Sequence, residues 1–170
     1  MDLLRTRKKP RGQTGVAGHE LARALRAAYL ALHRRTNACF AADGVTADQF
    51  VLLSALSDAD GVTQQDLVRR TGSDPNTVRA MLLLLEARGL VVREPHPADG
   101  RARCVRVTAG GRRLFQRLWA RSDPLRERLR AAFRSDELTA LVALLHRVAA
   151  ATPPPAGNGR RTPPAQGARR

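Results

Sequence analysis

The central third of the chain predicts two short helices separated by a tight turn. Thr63 and Asp66 form the residue pair of a capping box, which marks the start of a helix. Gly72 suits the end of that helix, because a residue without a Cβ adopts the left-handed backbone conformation at little cost. Asp74 followed by Pro75 begins another helix at once, since both residues favour a helix N-terminus. Two helices across a turn of about three residues are typical of a helix-turn-helix.

The second of these helices, predicted over residues 75 to 88, has one apolar and one polar face. Its inward stripe repeats at helical spacing and consists of Val78, Met81, Leu82 and Leu85. Its first turn instead carries three side chains that form hydrogen bonds: Asn76, Thr77 and Arg79. Such side chains can reach base edges or phosphates in the major groove of DNA. Taken alone, the same polar turn is also compatible with an ordinary solvated helix face.

A β-hairpin is predicted after the second helix. Its strands lie around the apolar runs 90 to 92 and 103 to 107, and proline and turn residues make 94 to 100 a loop. The tip carries Asp99, Arg101 and Arg103. An arginine there could enter the narrow minor groove, where the negative potential is concentrated, and Asp99 would orient Arg101 or cap the turn. The alternative is a basic, solvated edge that prevents edge-to-edge strand pairing.

Amphipathic helices are predicted on both sides of this unit. Residues 19 to 42 have leucine and alanine at spacings of three and four. A capping box at Thr46 opens an apolar helix that would pack beneath the second helix. Pro124 should kink or split the long helical segment after the hairpin, and Ser135 is the predicted cap of the last helix. A partner chain would bury the apolar stripes of these outer helices.

The net charge of +15 favours a polyanionic partner. Residues 1 to 18 carry +4 and residues 152 to 170 another +4, which leaves +7 on the predicted folded part. Neither end has hydrophobic periodicity, so we predict a disordered basic arm at 1 to 18 and a disordered proline- and arginine-rich tail at 152 to 170. The arm could track phosphates beside a DNA site or serve only as a solubilising leader.

Other function classes find little support in the sequence. The longest apolar runs are far shorter than the roughly 18 residues of a membrane span, and no signal peptide is apparent, which indicates a cytoplasmic protein. Cys39 and Cys104 cannot form a disulfide framework or a four-ligand zinc site, and an inert thiol is the simplest interpretation of Cys39. No catalytic, metal-ligand or phosphate-loop motif occurs, so we predict no enzymatic activity, cofactor or metal.

Several of these segments together resemble the multiple-antibiotic-resistance regulator (MarR) family of winged-helix regulators. The motifs are Gln49-Phe50, Thr63-Gln-Gln-Asp-Leu67, Asn76-Thr-Val78, Leu85-Glu-Ala-Arg-Gly-Leu90, Asp99-Gly-Arg101 and Thr108-Ala-Gly-Gly-Arg112. The resemblance implies a homodimer whose recognition helices lie in successive major grooves, with wing arginines in the adjoining minor grooves. The DNA-binding residues that we predict are Thr63, Gln64, Asn76, Thr77, Arg79, Asp99, Arg101 and Arg103.

The chain departs from the family in the middle of the second helix. Members of the family often have an arginine and further polar residues there, whereas this chain has Ala80, Leu83 and Leu84. The difference leaves fewer phosphate contacts from this helix. Leu83 and Leu84 could pack either on the wing or on the neighbouring helix.

The predicted fold is mainly α with a small β-hairpin wing (α+β). A winged helix-turn-helix core over 45 to 113 is flanked by dimerisation helices at 19 to 42 and 114 to 151. We predict a sequence-specific regulator that binds double-stranded DNA, a homodimeric repressor released by a small-molecule effector whose identity and pocket are unknown. The alternatives are a non-specific or architectural DNA-binding protein driven by basic arms, and a winged helix that binds only protein. A DNA partner implies a cytoplasmic, nucleoid-associated protein without a membrane.

Overall fold

Seven α-helices and one antiparallel sheet make up the part of the chain that the structure describes. This computed structural model describes the backbone of residues 11 to 59, 61 to 96 and 99 to 152, and the side chains of 18 to 59, 61 to 95 and 103 to 152. The helices are α1 (Arg11–Phe40), α2 (Ala47–Ser57), α3 (Gln64–Thr71), α4 (Pro75–Ala87), α5 (Ala109–Arg121), α6 (Asp123–Ala131) and α7 (Ser135–Ala151). The strands are β1 (Val62–Thr63), β2 (Val91–His96) and β3 (Asp99–Val107). The predicted mainly helical fold with a small sheet is confirmed.

The chain divides into two units within α6, after Arg126. The first unit holds α1 to α5 and the whole sheet, and every buried apolar residue of the described chain belongs to it. The second unit holds the end of α6 and all of α7, and none of its described residues is buried. The hydrophobic core is therefore a property of the first unit.

Reciprocal hydrogen bonds at the helix starts explain where α2 and α3 begin. The Thr46 hydroxyl accepts from the Gln49 amide, and the Gln49 side chain accepts from the Thr46 amide, each at 3.1 Å. Thr63 and Asp66 form the same pair at the start of α3, also at 3.1 Å in both directions. Both predicted capping boxes are confirmed. Each satisfies amide hydrogens that have no partner within the helix.

The core of the first unit holds α4 by its apolar side. The predicted inward stripe of this helix is confirmed, since all four of its members are buried: Val78, Met81, Leu82 and Leu85. They pack with buried residues of α2 and of the sheet, including Leu52, Leu53, Leu56, Val91, Val105 and Val107. Full burial of each such side chain contributes about 1.5–3 kcal/mol. One side of α4 is thus fixed against the protein, and the other side stays exposed.

The sheet has the strand order β1-β3-β2, and both pairings are antiparallel. The sequence did not predict β1, because two residues are too short to show an alternating pattern. The strands of the hairpin also include residues 94 to 96 and 99 to 100, so the prediction that 94 to 100 is a loop is wrong for these positions. Pro95 is tolerated because β2 is an edge strand, and the register shifts directly after it.

The first helix starts earlier than predicted. α1 begins at Arg11, so the backbone of residues 11 to 18 is helical where the sequence predicted part of a disordered arm. No proline interrupts the chain between Arg11 and the predicted start at His19, and an existing helix extends by one hydrogen bond per added residue. The remainder of the predicted arm, 1 to 10, and the predicted tail from residue 153 onward lie outside the described residues.

The helices after the sheet follow the prediction with one shift. The break expected from Pro124 is confirmed, because α5 ends and α6 begins within three residues before it. The predicted cap of the last helix is wrong by one residue. Ser135 is the first helical residue of α7, whereas Arg134 has the extended backbone of an N-cap and donates its amide to the Glu137 carboxylate at 2.9 Å. An acidic side chain in the first turn therefore accepts from the N-cap amide, which is one half of a capping box.

Candidate nucleic-acid interface

The turn between α3 and α4 fixes the N-terminus of α4. Gly72 ends α3 with a φ of +66°, in the region that favours glycine. The Asp74 carboxylate then accepts from the backbone amides of Asn76 and Thr77, each at 3.0 Å, and from the Thr77 hydroxyl. The hydrogen bond from the Thr77 hydroxyl, followed by those from the two amides, holds the pKa of Asp74 below its ordinary value of 3.8. A charged carboxylate therefore occupies the positive end of the helix.

The first turn of α4 exposes the three polar residues that the sequence singled out, Asn76, Thr77 and Arg79. Neither Asn76 nor Arg79 makes a side-chain hydrogen bond or ion pair with another described residue, so their donors and acceptors remain open to a ligand. Thr77 differs, because its hydroxyl donates to Asp74. Two of the three side chains are therefore free to bind, and the third also helps to cap the helix.

The two predicted residues at the start of α3 form bonds within the protein. The Thr63 hydroxyl donates to the Asp66 carboxylate at 2.5 Å. The side-chain amide of Gln64 donates to the carbonyl of Pro75 at 3.3 Å, which ties α3 to the first turn of α4. Thr63 and Gln64 thus position the helix pair. A direct contact of either residue with DNA stays a prediction.

Ion pairs hold the wing formed by β2 and β3. Arg93 Nε lies 3.3 Å from Glu86 Oε2, which joins β2 to α4. Arg106 Nε lies 3.1 Å from Glu94 Oε2 and joins the two strands. Arg103, one of the predicted DNA-binding residues, is exposed on β3. The side chains of the other two, at positions 99 and 101, lie outside the described residues.

The C-terminal end of α4 is tied to the corner between α1 and α2. Arg88, which follows the helix, donates to the carbonyls of Gly44 at 2.7 Å and Asp43 at 2.8 Å. Arg121 of α5 donates to the Asp43 carboxylate at 2.7 Å, and Arg117 lies 3.7 Å from it. The sequence analysis missed this cluster, because each of its hydrogen bonds and ion pairs joins residues at least 44 positions apart and no local pattern connects them. α4 is therefore fixed at both ends as well as along its buried side.

Beyond its first turn, the outer face of α4 is apolar. Leu83 is 50% exposed and Leu84 is 57% exposed, so each leaves about half of its surface to solvent and neither is buried by the wing or a neighbouring helix. Ala80 and Ala87 are exposed as well. The outer face is thus polar over one turn and apolar over the following two.

A groove of about 240 Å³ lies between α1 and α2. Its lining residues are Tyr29, Leu32, His33, Thr36, Ala47, Asp48, Phe50 and Val51. His33 Nε2 lies 3.2 Å from Asp48 Oδ2, and the Phe50 ring lies 6.4 Å from the Trp119 ring. A mainly apolar groove with a few polar groups is typical of a small-molecule site. The sequence pattern did not reveal it, because two separate helices supply its walls.

The described part of the chain offers little support for a metal site, a disulfide or a membrane-spanning helix. Residues 11 to 59, 61 to 96 and 99 to 152 contain no group of three or more histidine, cysteine or acidic residues that could hold a metal ion. Cys39 and Cys104 are free thiols, and Cys104 is buried. No single helix described here is long and apolar enough to cross a membrane, although the bent pair Gly18–Asp43 and Ala47–Ser57 together reaches the required length and composition.

A helix-turn-helix that leads into an antiparallel sheet defines the chain as a winged helix-turn-helix protein. A model of the MarR family matches residues 43–102, from the corner before α2 into the wing. The structure of BpsR from Bordetella bronchiseptica is 30% identical in sequence with a TM-score of 0.69, and the match covers 75% of this chain and 91% of BpsR. The chain belongs to the MarR family, and the resemblance in its sequence motifs is confirmed.

The relatives of this chain are transcriptional regulators. The regulator HosA of Escherichia coli O111:H- is 38% identical over 71 residues, which are 42% of this chain and 53% of HosA, so the match spans about half of that relative. The transcriptional repressor CouR, solved in a complex with a 23-mer DNA duplex, is 28% identical with a TM-score of 0.70 over 84% of this chain and 99% of CouR. The DNA binding of BpsR is regulated by 6-hydroxynicotinic acid.

Proposed function

We propose that this protein is a sequence-specific transcriptional regulator that places α4 in the major groove of double-stranded DNA. The observation that carries the proposal is the open first turn of α4, where Asn76 and Arg79 project from a helix fixed at both ends by Asp74 and Arg88. Base readout requires side chains held in place by a rigid support. Because its relative CouR is a repressor bound to DNA, we propose that this chain also represses transcription. Because its proposed partner is chromosomal DNA, we also propose that the protein acts in the cytoplasm.

The remaining predicted residues receive roles in the same complex. Asn76 and Arg79 read base edges. Thr77 accepts with its hydroxyl oxygen from an adjacent base amino group, because its own hydroxyl hydrogen is donated to Asp74. Thr63 and Gln64, at the start of α3, lie beside the phosphates. On the wing, Arg101 and Arg103 enter the minor groove, and Asp99 orients Arg101. The net charge of +15 supports a polyanionic partner.

We further propose a homodimer formed through the outer helices at 19 to 42 and 114 to 151. The support is apolar surface: α1 exposes Leu21, Tyr29 and Leu32, and α7 exposes Val142, Leu144 and Leu145. Exposed apolar surface of this kind is typical of an interface between subunits. A symmetric dimer would bring two copies of α4 to half-sites about one helical turn apart.

Selection of bound fragments from random duplex DNA tests the proposed function. We expect a near-palindrome, and footprinting of the selected duplex should show protection of both half-sites. A variant that carries Asn76→Ala and Arg79→Ala should no longer enrich the same sequence, because its base contacts are gone. Uniform coverage of every duplex by the unmodified protein would contradict sequence-specific binding.

The second candidate function is non-specific DNA binding by the chain ends. It is favoured by the charge at the termini, since residues 1 to 18 and 152 to 170 each carry +4. Deletion of residues 1 to 10 and 153 to 170 distinguishes the two functions, because it leaves all described helices intact. Retention of the preferred duplex with reduced affinity supports the regulator. Loss of all DNA binding supports the alternative.

We propose that the groove between α1 and α2 binds the small-molecule effector that releases DNA. It suits a single-ring molecule in size, and BpsR responds to such a molecule, 6-hydroxynicotinic acid. α2 also packs directly on the buried side of α4, which gives a physical route from the groove to DNA.

Trp119 reports on this groove, because it is the sole tryptophan of the chain and lies near the lining residue Phe50. Titration with 6-hydroxynicotinic acid and other single-ring aromatic acids should change its fluorescence and release DNA over the same concentration range. Tyr29→Ala should shift both curves to higher concentration. If the Tyr29→Ala protein releases DNA at the same effector concentration as the unmodified protein, the effector binds elsewhere.

A further inference from the structure

The residues of α4 that face directly away from the core form a single row. Successive residues of a helix are about 100° apart, so positions spaced by four, three and four residues lie nearly in line. Opposite the buried stripe, this row reads Asn76, Ala80, Leu83 and Ala87. Only the first member can form a side-chain hydrogen bond. We call these four residues the outer row of α4.

The apolar part of the outer row is open to solvent. Ala80 and Ala87 are exposed, and half of the Leu83 surface is accessible. The nearest guanidinium at the end of the helix, that of Arg88, is bonded to the carbonyls of Gly44 and Asp43. Within the described side chains, the last two turns of the row therefore offer no hydrogen-bond donor or acceptor to a ligand.

The surroundings of the row favour DNA over a second protein chain. The row continues directly from the open amide of Asn76, and Arg79 flanks it with a positive charge. One exposed leucine and two alanines also present far less than the roughly 800 Å² per partner that a stable protein interface buries. A narrow apolar strip within a basic, hydrogen-bonding helix face fits the floor of a major groove.

We propose that Ala80 and Leu83 recognise the C5-methyl groups of thymines in each half-site, an inference that rests on the proposed function. In the major groove, base edges present donors and acceptors, and the thymine methyl is their one apolar group. Leucine against a polar edge would leave that edge without a partner, which is unfavourable. Leu83 lies about 10 Å along the helix from Asn76, a distance of about three base pairs. The thymines therefore lie within about three base pairs of the base that Asn76 contacts.

Substitution of deoxyuridine for thymine tests this proposal, because it removes the methyl group and keeps every hydrogen-bonding group. In a duplex obtained by selection, each thymine is replaced in turn and binding is measured by fluorescence anisotropy. We expect one or two positions per half-site where the unmodified protein loses about fourfold in affinity, the value of one buried methyl group. At all other thymines the affinity should stay unchanged.

Two leucine variants assign the effect to the outer row. Leu83→Ala should remove the difference between thymine and deoxyuridine at the thymine that Leu83 contacts. Leu84→Ala is the matched control, because it shortens an equally exposed leucine about 100° around the helix and should keep the fourfold difference. Both leucines are about half exposed, so the two variants should melt at similar temperatures and their difference in DNA binding cannot come from unfolding.

The outcomes separate this proposal from the proposed function. A selected duplex at which no deoxyuridine substitution matters, or equal behaviour of the two leucine variants, overturns thymine recognition by Leu83 and leaves the regulator intact. If selection yields no preferred duplex at all, the proposed function fails and the inference fails with it.

Discussion

At the scale of single residues, the candidate interface depends on two side chains that make no hydrogen bond with any other described residue. Asn76 and Arg79 have open hydrogen-bonding groups on a fixed helix turn, whereas Thr63, Gln64 and Thr77 already bond within the protein. Residue type alone did not separate these two groups, because all five are polar and lie at helix starts. The two groups differ in whether their side chains form hydrogen bonds with other described residues of the protein.

Arg79→Ala should weaken binding to the selected duplex by about 10- to 100-fold, as expected for the loss of one base contact, and should relax base preference at one position. Arg147→Ala is the control, because it removes the same charge from an exposed site on α7. Anisotropy titrations of both variants at one salt concentration give the comparison. Equal losses in the two variants would mean that Arg79 contributes only charge.

The Asp74 cap predicts a dependence of stability on pH. Since the hydrogen bonds of Thr77 and Asn76 hold the folded-state pKa of Asp74 below 3.8, the cap stabilises fully above the ordinary pKa and loses its effect as pH falls through the lowered value. The Thr63 hydroxyl lowers the pKa of Asp66 in the same way, so both helix starts weaken over this acidic range.

Substitutions at Asp74 isolate its contribution to the pH dependence of stability. Asp74→Asn keeps a capping oxygen that does not titrate, and Asp74→Ala removes the cap. In urea unfolding at pH 7, the alanine variant should be the least stable of the three proteins. As pH falls below 3.8, the unmodified protein should lose its advantage over Asp74→Asn. A constant difference between these two at every pH would contradict the assigned role of the carboxylate.

At the scale of elements, the packing of α5 on the start of β2 depends on one glycine. A Cβ on Gly111 would lie 2.1 Å from the carbonyl oxygen of Leu90 and 2.7 Å from Val107 Cγ1, distances that neither backbone nor core can accommodate without movement. A Cβ on the adjacent Gly110 would lie 3.6 Å from its nearest neighbour, Thr108 Oγ1. The two glycines therefore differ in role, although both lie in the first turn of the helix.

The expected effects of alanine at these positions have opposite signs. Gly110→Ala should leave stability unchanged or raise it by up to about 1 kcal/mol, because alanine favours the helix. Gly111→Ala should destabilise by about 1–3 kcal/mol, because the added methyl group overpacks the junction. Urea unfolding midpoints measure both. A Gly111→Ala protein as stable as Gly110→Ala would show that α5 is not closely packed against β2.

The elements that could be predicted from sequence are those with local causes. The caps at Thr46, Thr63 and Asp74, the stripe of α4 and the break before Pro124 each depend on residues within about four positions, so pattern reading found them. The strand β1 exists only through its pairing with β3, and the bonds of Arg88 reach carbonyls 44 and 45 positions earlier in the chain. Such contacts between distant parts of the chain have no signature in a single sequence.

At the scale of the whole molecule, the outer helices carry apolar residues for which the described chain provides no core. No described residue of α6 or α7 is buried, and the stripe predicted for α7 is half exposed at Val142 and Leu145. Three arginines lie among the leucines of α6, whereas α7 has the single arginine Arg147 and an apolar stripe at helical spacing. Two copies of the chain would cover these apolar residues together and present two copies of α4 to one duplex.

Leu145→Asp should convert the proposed dimer into a monomer, because a carboxylate in the apolar interface has no partner there. Ala143→Asp is the control, since it adds the same charge about 200° around α7 and should leave the dimer intact. Light scattering should give a mass near twice 18.6 kDa for the control and near 18.6 kDa for Leu145→Asp.

The same pair of variants tests whether dimerisation serves DNA binding. In a dimer, binding of one α4 to its half-site holds the second α4 close to the other half-site, which raises its effective concentration there. The monomeric Leu145→Asp protein should therefore lose at least about 100-fold in affinity for the palindrome and much less for an isolated half-site. Circular dichroism at the same concentrations establishes that the helices persist. If Leu145→Asp remains a dimer, α7 is not the interface. If it becomes a monomer and still binds the palindrome with full affinity, one copy of α4 and its wing suffices for recognition.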